Sequence, residues 1–443
     1  MSGARPRKWM KLDNAAKIYP AAMSRSWNAL FRVSAVLSET VDPAVLQEAL
    51  DRCMKRFPTF AMRLRRGVFW YYMDTIDTPL SVQPDVANPC VRMELHGEKD
   101  YMLRVRYHDC SIAVEFFHVL TDGNGGLLFL KTLTAEYLTL KYGAVIPRSA
   151  DILDCDQTPT PDETGDSFLK YARSGTRSRS EARAYKIPGT DCRHMMHITT
   201  GMLDSAKTNA LAKEMGATVT ELLTAVLIQS VQELQEKKVP LRRNMKPVKI
   251  CVPINLRKYY PTCTVRNFAS YMNPGIDPAL GHYSLKETLR AVRGYMALEN
   301  DEKLLNAKFS TNVAQEKNIA LRLVPLGLKS AIMKSVFILQ GETLTSSTVS
   351  NLGICTLPPE MSRYVKSVYF LLGPLYRNRV ACACVSYNGK LNISFTRSIE
   401  ESDIERGFFT RLVQLGLHVT VESNTYSLQN AFSYAALSPE ELL

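Results

Sequence analysis

The sequence from position 116 to 123 reads Phe116-Phe117-His118-Val119-Leu120-Thr121-Asp122-Gly123. The residues just before it, 111 to 117, alternate between apolar and polar side chains, which predicts a strand that ends at His118. After a glycine-rich turn, leucines at helical spacing predict a helix that ends at Gly143. The histidine therefore lies in a predicted strand-to-helix loop.

The residues alone leave two explanations for His118, a core histidine whose ring is satisfied by backbone or a catalytic base. A metal site is weakly supported, because Glu115 would point to the opposite strand face and no second histidine lies at ligand spacing. We therefore predict no metal. The two phenylalanines before His118 and the glycines after it combine an apolar wall with backbone that a ligand can approach closely. These surroundings favour the catalytic explanation.

Strand-then-helix units occur in both halves of the chain, although no residue-level repeat is visible. In the first half, alternation predicts strands at 30–37, 61–65, 69–73, 102–107 and 111–117. In the second half, it predicts strands at 195–202 and 248–255, a strand or loop at 344–352, and a hairpin of 380–387 with 391–396. Helices are predicted at about 43–57, 204–215, 218 onward, 284–299 and 401–417.

The chain divides where its composition changes. An acidic, proline-bearing stretch is followed by a basic, serine-rich one, which is typical of a crossing between domains. We predict an N-terminal lobe at 1–165, a crossing linker at 166–190 and a C-terminal lobe with crossover segments at 191–443.

Composition limits the class of protein. With 443 residues the chain exceeds the usual size of a single core, and 46% apolar with 22% charged residues is typical of a soluble globular protein. The ten cysteines include no Cys-x-x-Cys pair, which predicts reduced thiols. We expect no secretory signal and no transmembrane segment, because no apolar run is long enough, and hence a cytoplasmic location.

The formal net charge is +12, which raises nucleic acid, an anionic membrane surface or an anionic small molecule as partners. The basic residues are scattered, and the densest clusters, Arg63-Leu64-Arg65-Arg66 and 173–183, match no nucleic-acid-binding motif. We therefore expect no nucleic-acid partner. The charge also suits a phosphorylated co-substrate such as coenzyme A.

The segment His118-Val119-Leu120-Thr121-Asp122-Gly123 resembles the His-x-x-x-Asp-Gly signature of the coenzyme A-dependent acyltransferase superfamily. That group includes chloramphenicol acetyltransferase, the plant BAHD enzymes, condensation domains of nonribosomal peptide synthetases and bacterial alcohol acetyltransferases, the branch that this chain resembles most. Arg56-Phe57-Pro58, Pro253-Ile254-Asn255-Leu256-Arg257 and Asn267-Phe268 occur in a similar order, so the resemblance extends over most of the chain.

The resemblance implies an α/β (α+β) fold of two chloramphenicol-acetyltransferase-like sandwich lobes, each a mixed sheet flanked by helices, with a tunnel between them. It implies that His118 is the general base for attack of a hydroxyl group on a thioester, with no acyl-enzyme. Acyl-CoA would then be a co-substrate, with no tightly bound cofactor, and a small alcohol or amine would be the acceptor.

The resemblance also implies supporting roles. Asp122 would be structural and would pair with an arginine, with Arg63 as the first choice and Arg65 or Arg257 as alternatives. Gly123 would leave room beside the channel. The run from Thr345 to Asn351 is the candidate source of an oxyanion donor, and Ser347, Ser350 and Asn351 are the candidates within it. Ordinary strand polar residues explain that run equally well.

Two departures from the family pattern bear on the donor. Condensation domains usually have a second histidine before the catalytic one, and here that position is Phe117. The plant Asp-Phe-Gly-Trp-Gly signature is absent. Phe117 favours a free acyl-CoA donor, while a carrier protein supplied in trans stays open. The absent plant signature weakens a plant-type assignment. The alternatives are a condensation-type, amide-forming or carrier-dependent acyltransferase and, in another class, a catalytically idle member that serves as a binding module.

Overall fold

The computed structural model of the chain describes residues 9–23, 29–95, 97, 100–173, 181–192, 195–375 and 377–424. The strands are β1 Trp9–Lys11, β2 Leu30–Leu37, β3 Met62–Arg66, β4 Tyr71–Thr75, β5 Gln83–Pro84, β6 Leu103–His108, β7 Ser111–Phe117, β8 His197–Asp204, β9 Val248–Asn255, β10 Ala269–Met272, β11 Gly275–Ile276, β12 Ser347–Ile354, β13 Val365–Leu372, β14 Val380–Tyr387, β15 Lys390–Arg397 and β16 Thr420–Ser423. The α-helices are α1 Ile18–Ala22, α2 Pro43–Arg56, α3 Gly123–Tyr142, α4 Pro161–Thr164, α5 Ser167–Tyr171, α6 Ser205–Glu214, α7 Val219–Lys238, α8 Leu285–Glu299, α9 Glu302–Lys317, α10 Ile319–Leu323, α11 Leu326–Val336, α12 Pro359–Ser362 and α13 Asp403–Gln414.

The N-terminal lobe is built on a five-stranded sheet in the order β13-β2-β7-β6-β5. Strands β2, β7 and β6 pair antiparallel, and helices α2 and α3 pack against each other. The rings of Phe31, Phe57, Phe116 and Phe129 pack together within the core of this lobe. A smaller sheet, β1-β4-β3, flanks it.

Strand β13 joins the two halves of the chain. It comes from the C-terminal half in sequence, yet it pairs antiparallel with β2 at the edge of the N-terminal sheet. The predicted boundary at position 191 is therefore crossed by a returning strand. The predicted linker, 166–190, contains helix α5, and its Phe168 is buried against Phe268 and Phe309. Residues 174–180 of that linker lie outside the described residues.

The C-terminal lobe is built on an eight-stranded sheet in the order β10-β9-β12-β14-β15-β8-β16, with β11 also paired to β9. Its two faces pack differently. Ile250, Val349 and Cys382 lie in a core that also holds buried residues of α7, α8 and α13. Ala383 and Val385, on the other face, lie in the core of the N-terminal lobe. The predicted mixed α/β class is confirmed, and one sheet serves both cores.

The connection from β9 to β10, residues 256–268, is the other link between the lobes. Its Arg266 donates a hydrogen bond to the Lys11 carbonyl at 2.8 Å, and the Val265 N–H donates to the Glu163 carbonyl at 2.9 Å. We call this segment the β9–β10 loop. It reaches the end of β7, where His118 lies.

Candidate active site

The loop that carries His118 is fixed by hydrogen bonds at both ends. Strand β7 ends one residue earlier, and the His118 N–H donates to the Ala29 carbonyl at 2.8 Å. The Asp122 side chain caps helix α3 by accepting from the Gly125 N–H at 3.0 Å. His118 therefore stands at the strand end that its sequence predicts.

Aromatic rings enclose the imidazole of His118. Tyr19 of α1 stacks on it with 4.7 Å between ring centroids, and Phe31 of β2 meets it edge-on at 5.3 Å. Its Nδ1 lies 2.9 Å from the amide oxygen of Asn267 in the β9–β10 loop. His118 as a whole residue is still partly accessible to solvent, so it is not sealed in the core.

The hydrogen bonds of Asn267 settle which imidazole nitrogen carries the proton. Its Nδ2 donates to the His118 carbonyl at 3.0 Å and to Asp13 at 3.3 Å, so its oxygen must accept from His118. Nδ1 is then protonated and Nε2 keeps its lone pair. Burial lowers the pKa of His118 from its ordinary value, against the opposing charge of Asp122. A neutral imidazole near pH 7 with a free Nε2 is suited to accept a proton.

Asp122 is held by the β9–β10 loop and by its own helix. Its Oδ2 accepts from Arg257 Nη1 and from the Phe268 N–H, both at 2.8 Å, while its Oδ1 accepts from Gly125. Burial alone would raise the pKa of Asp122, but the Arg257 charge and these hydrogen bonds outweigh it, and the pKa is lowered. The carboxylate is therefore ionised, and its hydrogen bonds hold the loop in place.

The partner of Asp122 corrects the prediction that favoured Arg63. Arg63 lies in β3 directly opposite Asp74 of β4, and the two form an ion pair at 3.1 Å. Arg65 also approaches Asp74, at 4.0 Å. Asp74 of their own hairpin engages Arg63 and Arg65, whereas Arg257 follows β9 and lies within the β9–β10 loop, so it reaches Asp122.

Asn267, Asp13 and Tyr19 are site residues that the sequence analysis missed. Asn267 was noted only for its order in the family resemblance. Asp13 is buried, its carboxylate accepts from the Ala16 N–H at 2.7 Å, and Arg266 lies 3.6 Å away. Burial raises the pKa of Asp13 to about 6 against the opposing charge of Arg266. The pattern Asn267-Phe268 after Arg257 was the available signal, but its contact with His118 spans 149 positions.

Opposite His118, the C-terminal sheet presents a partly polar wall. Thr348 of β12 lies opposite Cys251 of β9, and Ser350 lies opposite Ala383 of β14. Residues opposite each other share a face of the sheet, so all four face the N-terminal lobe, as Ala383 does. Tyr271 of β10 lies opposite the residue two places after Cys251 and shares that face.

The same alternation corrects two of the three oxyanion candidates. Ser347 and Asn351 share the opposite face with Val349, toward the helices. Ser347 donates to the Val380 carbonyl at 2.8 Å, and the Asn351 amide donates to Thr220 of α7 at 3.0 Å. Both side chains therefore point away from the N-terminal lobe, and both form hydrogen bonds on the helix side of the sheet. Ser350 faces the N-terminal lobe and stays a prediction.

Tyr271 and Cys251 are partly accessible on this face of the sheet, and protein still surrounds them. Half of the Tyr271 surface, 51%, is accessible to solvent, yet burial raises the pKa of its hydroxyl to about 12. Cys251 is also partly accessible, and burial raises the pKa of its thiol to about 12. Neither group is therefore ionised near pH 7.

Gly123 stands where the two lobes touch. A Cβ atom at this position would lie 2.7 Å from Cδ2 of Leu352, which follows Ser350 on the same face of β12. It would also lie 3.6 Å from Phe370 of β13. A glycine is required here because strand β12 approaches the helix start closely, and the channel expected beside it stays a prediction.

A basic cavity lies at the start of α7. It has a volume of about 610 Å³ and is lined by Lys213, Arg290 and Arg293 together with Thr218 and Glu221. Thr218 caps α7 in a capping box with Glu221, as the sequence predicts. Thr220, two residues further on, accepts a hydrogen bond from Asn351 of β12, so the start of α7 contacts that strand as well as lining the cavity.

The described part of the chain offers neither a cluster of metal ligands nor a membrane-spanning helix. No group of three or more histidine, cysteine or acidic side chains within them is placed to hold a metal ion. All ten cysteines are free thiols. Among the helices of the described part of the chain, none has the length and apolar character needed to cross a membrane.

Comparison with known proteins gives a match in structure only. No family model and no curated protein sequence matches the chain. The chain is similar to polyketide synthase associated protein 5 from Mycobacterium tuberculosis, with a TM-score of 0.60 and 14% identity over 91% of this chain and 96% of that one. It is also similar to TRI101 of F. sporotrichioides, solved with coenzyme A and T-2, with a TM-score of 0.61 and 14% identity over 90% and 97%.

A third similar structure is the starter condensation domain of rhizomide synthetase RzmA, with a TM-score of 0.51 and 12% identity over 92% of this chain and 95% of that one. The chain has the fold of the coenzyme A-dependent acyltransferases and condensation domains. The predicted superfamily fold is therefore confirmed, and the two sheets described above are its two lobes.

Proposed function

We propose that the chain is an acyltransferase that moves an acyl group from acyl-CoA to the hydroxyl group of a small alcohol, with His118 as general base. One observation carries the proposal. The bond between Nδ1 of His118 and Asn267 leaves Nε2 as an unprotonated acceptor on a partly accessible residue. The fold shared with TRI101, a protein solved with coenzyme A, supports the choice of donor.

In the proposed reaction, Nε2 of His118 takes the proton of the alcohol as its oxygen attacks the thioester carbonyl. The carbon–oxygen bond forms and the carbonyl oxygen becomes an oxyanion. When this intermediate collapses, the carbon–sulfur bond breaks and the coenzyme A thiolate takes the proton from His118. The products are an ester and free coenzyme A, and no residue of the chain is acylated. No resident cofactor is needed.

The proposed oxyanion donor is the hydroxyl of Ser350. It lies on the face of β12 that meets the N-terminal lobe, two residues before Leu352 and its approach to Gly123. Loss of one oxyanion donor typically lowers kcat about 10²- to 10³-fold. Ser350→Ala should show that loss, and Ser347→Ala is the matched control because its hydroxyl lies on the opposite face. Equal kcat values for both variants would remove Ser350 from the mechanism.

The proposed opening for the donor is the basic cavity at the start of α7. Lys213, Arg290 and Arg293 can bind the phosphate groups of coenzyme A by charge-assisted hydrogen bonds. We expect Arg290→Ala with Arg293→Ala to raise KM for acyl-CoA about tenfold or more while kcat changes little. An unchanged KM for acyl-CoA would mean that the donor enters elsewhere. A tunnel from this cavity to His118 completes the proposal.

The central test measures thiol release from a panel of acyl-CoAs and alcohols by the purified protein. His118→Ala should abolish release while the fold stays intact, and His108→Ala, an exposed histidine elsewhere in the same sheet, should release thiol at the normal rate. If His118→Ala releases thiol as fast as the unaltered protein, the mechanism is wrong. If no acyl-CoA is turned over by the unaltered protein, an idle binding module is the better description.

A second candidate is a condensation-type acyltransferase that forms amides or takes its donor from a carrier protein. The similarity to a starter condensation domain favours it. Phe117 before His118, in place of a second histidine, favours the free acyl-CoA donor instead. Amines in place of alcohols, and an acylated carrier protein in place of acyl-CoA, separate the two candidates. Free acyl-CoA and reduced thiols both suit the cytoplasm, which is the proposed location.

A further inference from the structure

The outward side of helix α11 carries no charged residue. Its exposed positions are Gly327, Leu328, Ala331, Ile332, Ser335 and Val336. Leu328 is 60% exposed and Ile332 is 52% exposed. The inward side is held by buried Leu326 and Lys329. A helix on the surface of a water-soluble protein usually exposes its polar residues and buries its apolar ones. Helix α11 has the opposite arrangement.

The apolar surface continues onto the hairpin between β3 and β4. The Leu326 N–H donates to the Val68 carbonyl at 2.9 Å, and Lys329 Nζ donates to the Phe69 carbonyl at 2.9 Å. Val68 and Phe69 are themselves exposed. Lys329 also lies 3.9 Å from the ring centroid of Trp70, which fixes the hairpin to the helix. Helix α10 adds exposed Ile319 and Leu323.

Positive charge surrounds these side chains. The chain has no Asp or Glu from Lys317 to Gly341, but it has four Lys or Arg residues there. Arg322 is exposed between the two apolar residues of α10, and the Arg66 guanidinium lies 3.9 Å from the position of a Cβ on Gly327. Arg66 belongs to the basic cluster of the β3–β4 hairpin, to which the proposed function gives no role.

We propose that helices α10 and α11 and the Val68-Phe69 turn form a docking surface for an anionic lipid bilayer. We call this surface the α11 face. It exposes seven large apolar side chains, Val68, Phe69, Ile319, Leu323, Leu328, Ile332 and Val336. Continuous apolar surface of this kind marks an interaction site. Cations beside it attract anionic lipid headgroups, and each one near the surface strengthens binding about fivefold.

The chemistry of the α11 face favours lipid over protein. A protein interface usually carries about one hydrogen bond per 100–200 Å² and is rich in Tyr, Trp and Arg at its centre. The outward side of α11 offers a single polar side chain, Ser335, and its large residues are aliphatic. Acyl chains require no hydrogen bonds. A second copy of the chain is disfavoured because its cations would meet the same cations across the interface.

The α11 face lies close to the candidate active site. Helix α11 packs against α1, and Tyr19 of α1 stacks on His118. The lipid surface would therefore lie one helix away from the candidate base, where a lipophilic alcohol could leave the bilayer. Docking itself does not depend on the proposed acyl transfer, and its test needs no enzyme assay.

The test is co-sedimentation of the purified full chain with phosphatidylcholine vesicles, with and without phosphatidylserine. We expect binding to the vesicles that contain phosphatidylserine and weaker binding as salt is raised. Ile332→Glu should weaken binding about tenfold, and Leu328→Glu with Ile332→Glu about a hundredfold, because each buries an aliphatic side chain in lipid. Val413→Glu is the matched control, since Val413 is 53% exposed on α13 of the other lobe.

Several outcomes would overturn the proposal. One is the failure of the unaltered chain to sediment with either vesicle, and another is equal sedimentation of the double variant and the Val413→Glu control. A third is a dimer in light scattering that Leu328→Glu with Ile332→Glu converts to a monomer, because a second copy would then occupy the surface. A fourth is binding that appears only after residues 425–443 are removed, because the chain itself would then cover it. Unchanged melting temperatures verify that the variants fold.

Discussion

Replacement of Asp122 by Asn tests whether this residue positions His118. The carboxylate accepts three hydrogen bonds, from Gly125, Arg257 and Phe268. An asparagine keeps one oxygen, turns an NH₂ group toward a donor and leaves the guanidinium of Arg257 without its counter-charge. Breaking a buried ion pair by changing one partner costs about 3–5 kcal/mol.

The melting temperature should fall by a few degrees. At about 2.1 cal/mol/K per residue, unfolding a chain of 443 residues carries an entropy of about 0.9 kcal/mol/K, so the expected fall is about 3–5 °C. Activity should fall about a hundredfold with it, because the histidine loses its fixed geometry. Differential scanning calorimetry and thiol release measure the two effects.

Glu405→Gln is the matched control. Glu405 forms a buried ion pair with Arg397 in the C-terminal lobe, on elements that the site does not include. It should lower the melting temperature similarly and leave kcat unchanged. Asp122→Asn combined with Arg257→Gln should be little worse than either change alone, since both remove one interaction. Lost activity in Asp122→Asn at an unchanged melting temperature would refute the positioning role and indicate direct chemistry.

Three further outcomes are expected from the same site. As the pH is lowered, the rate of acyl transfer should fall only below the ordinary histidine pKa of 6.5, because burial lowers the pKa of His118 and a base acts when it is unprotonated. A rate that already falls above pH 7 would contradict this. Asn267→Ala should lower kcat about 10- to 100-fold and move the acid limb of the pH–rate profile to lower pH, while Asn267→Asp should move it to higher pH. If the acid limb stays in place in both variants, Asn267 has only a structural role. Gly125→Ala should lower stability by about 1–3 kcal/mol in denaturant unfolding, because its Cβ would lie 2.4 Å from the Val265 carbonyl, whereas Gly294→Ala, with open space around it, should not.

The bounds of several strands were predictable from the alternation of apolar and polar residues. Strands 30–37, 111–117 and 248–255 have the predicted bounds, because alternation reports which residues face a core. Capping signals set the start of α7, and Gly143 ends α3 in the left-handed conformation that favours glycine. Helices α9 to α11 were not predicted, because the outward side of α11 is apolar and its pattern does not separate inside from outside.

Pairings between distant segments were not predictable. No strand was predicted at 365–372, and nothing local indicates that this segment crosses to pair with β2 of the first lobe. Three arginines had the same chemistry as partners of Asp122, and strand register decided among them by giving Arg63 its own carboxylate. The sequence already shows that Ser350 lies on one face of its strand and that Ser347 and Asn351 lie on the other. Which of the two faces points toward the N-terminal lobe depends on how β12 is placed between β9 and β14.

The candidate base is assembled from both lobes. His118 and Asp122 come from the N-terminal lobe, whereas Asn267 and Arg257, which fix them, come from the β9–β10 loop of the C-terminal sheet. An isolated first lobe would keep the histidine at its strand end but lose the bond that selects its tautomer. The motif His-x-x-x-Asp-Gly is therefore only half of the site. The other half is the loop that carries Asn267, and the docking of the lobes places the amide oxygen that selects the tautomer of His118.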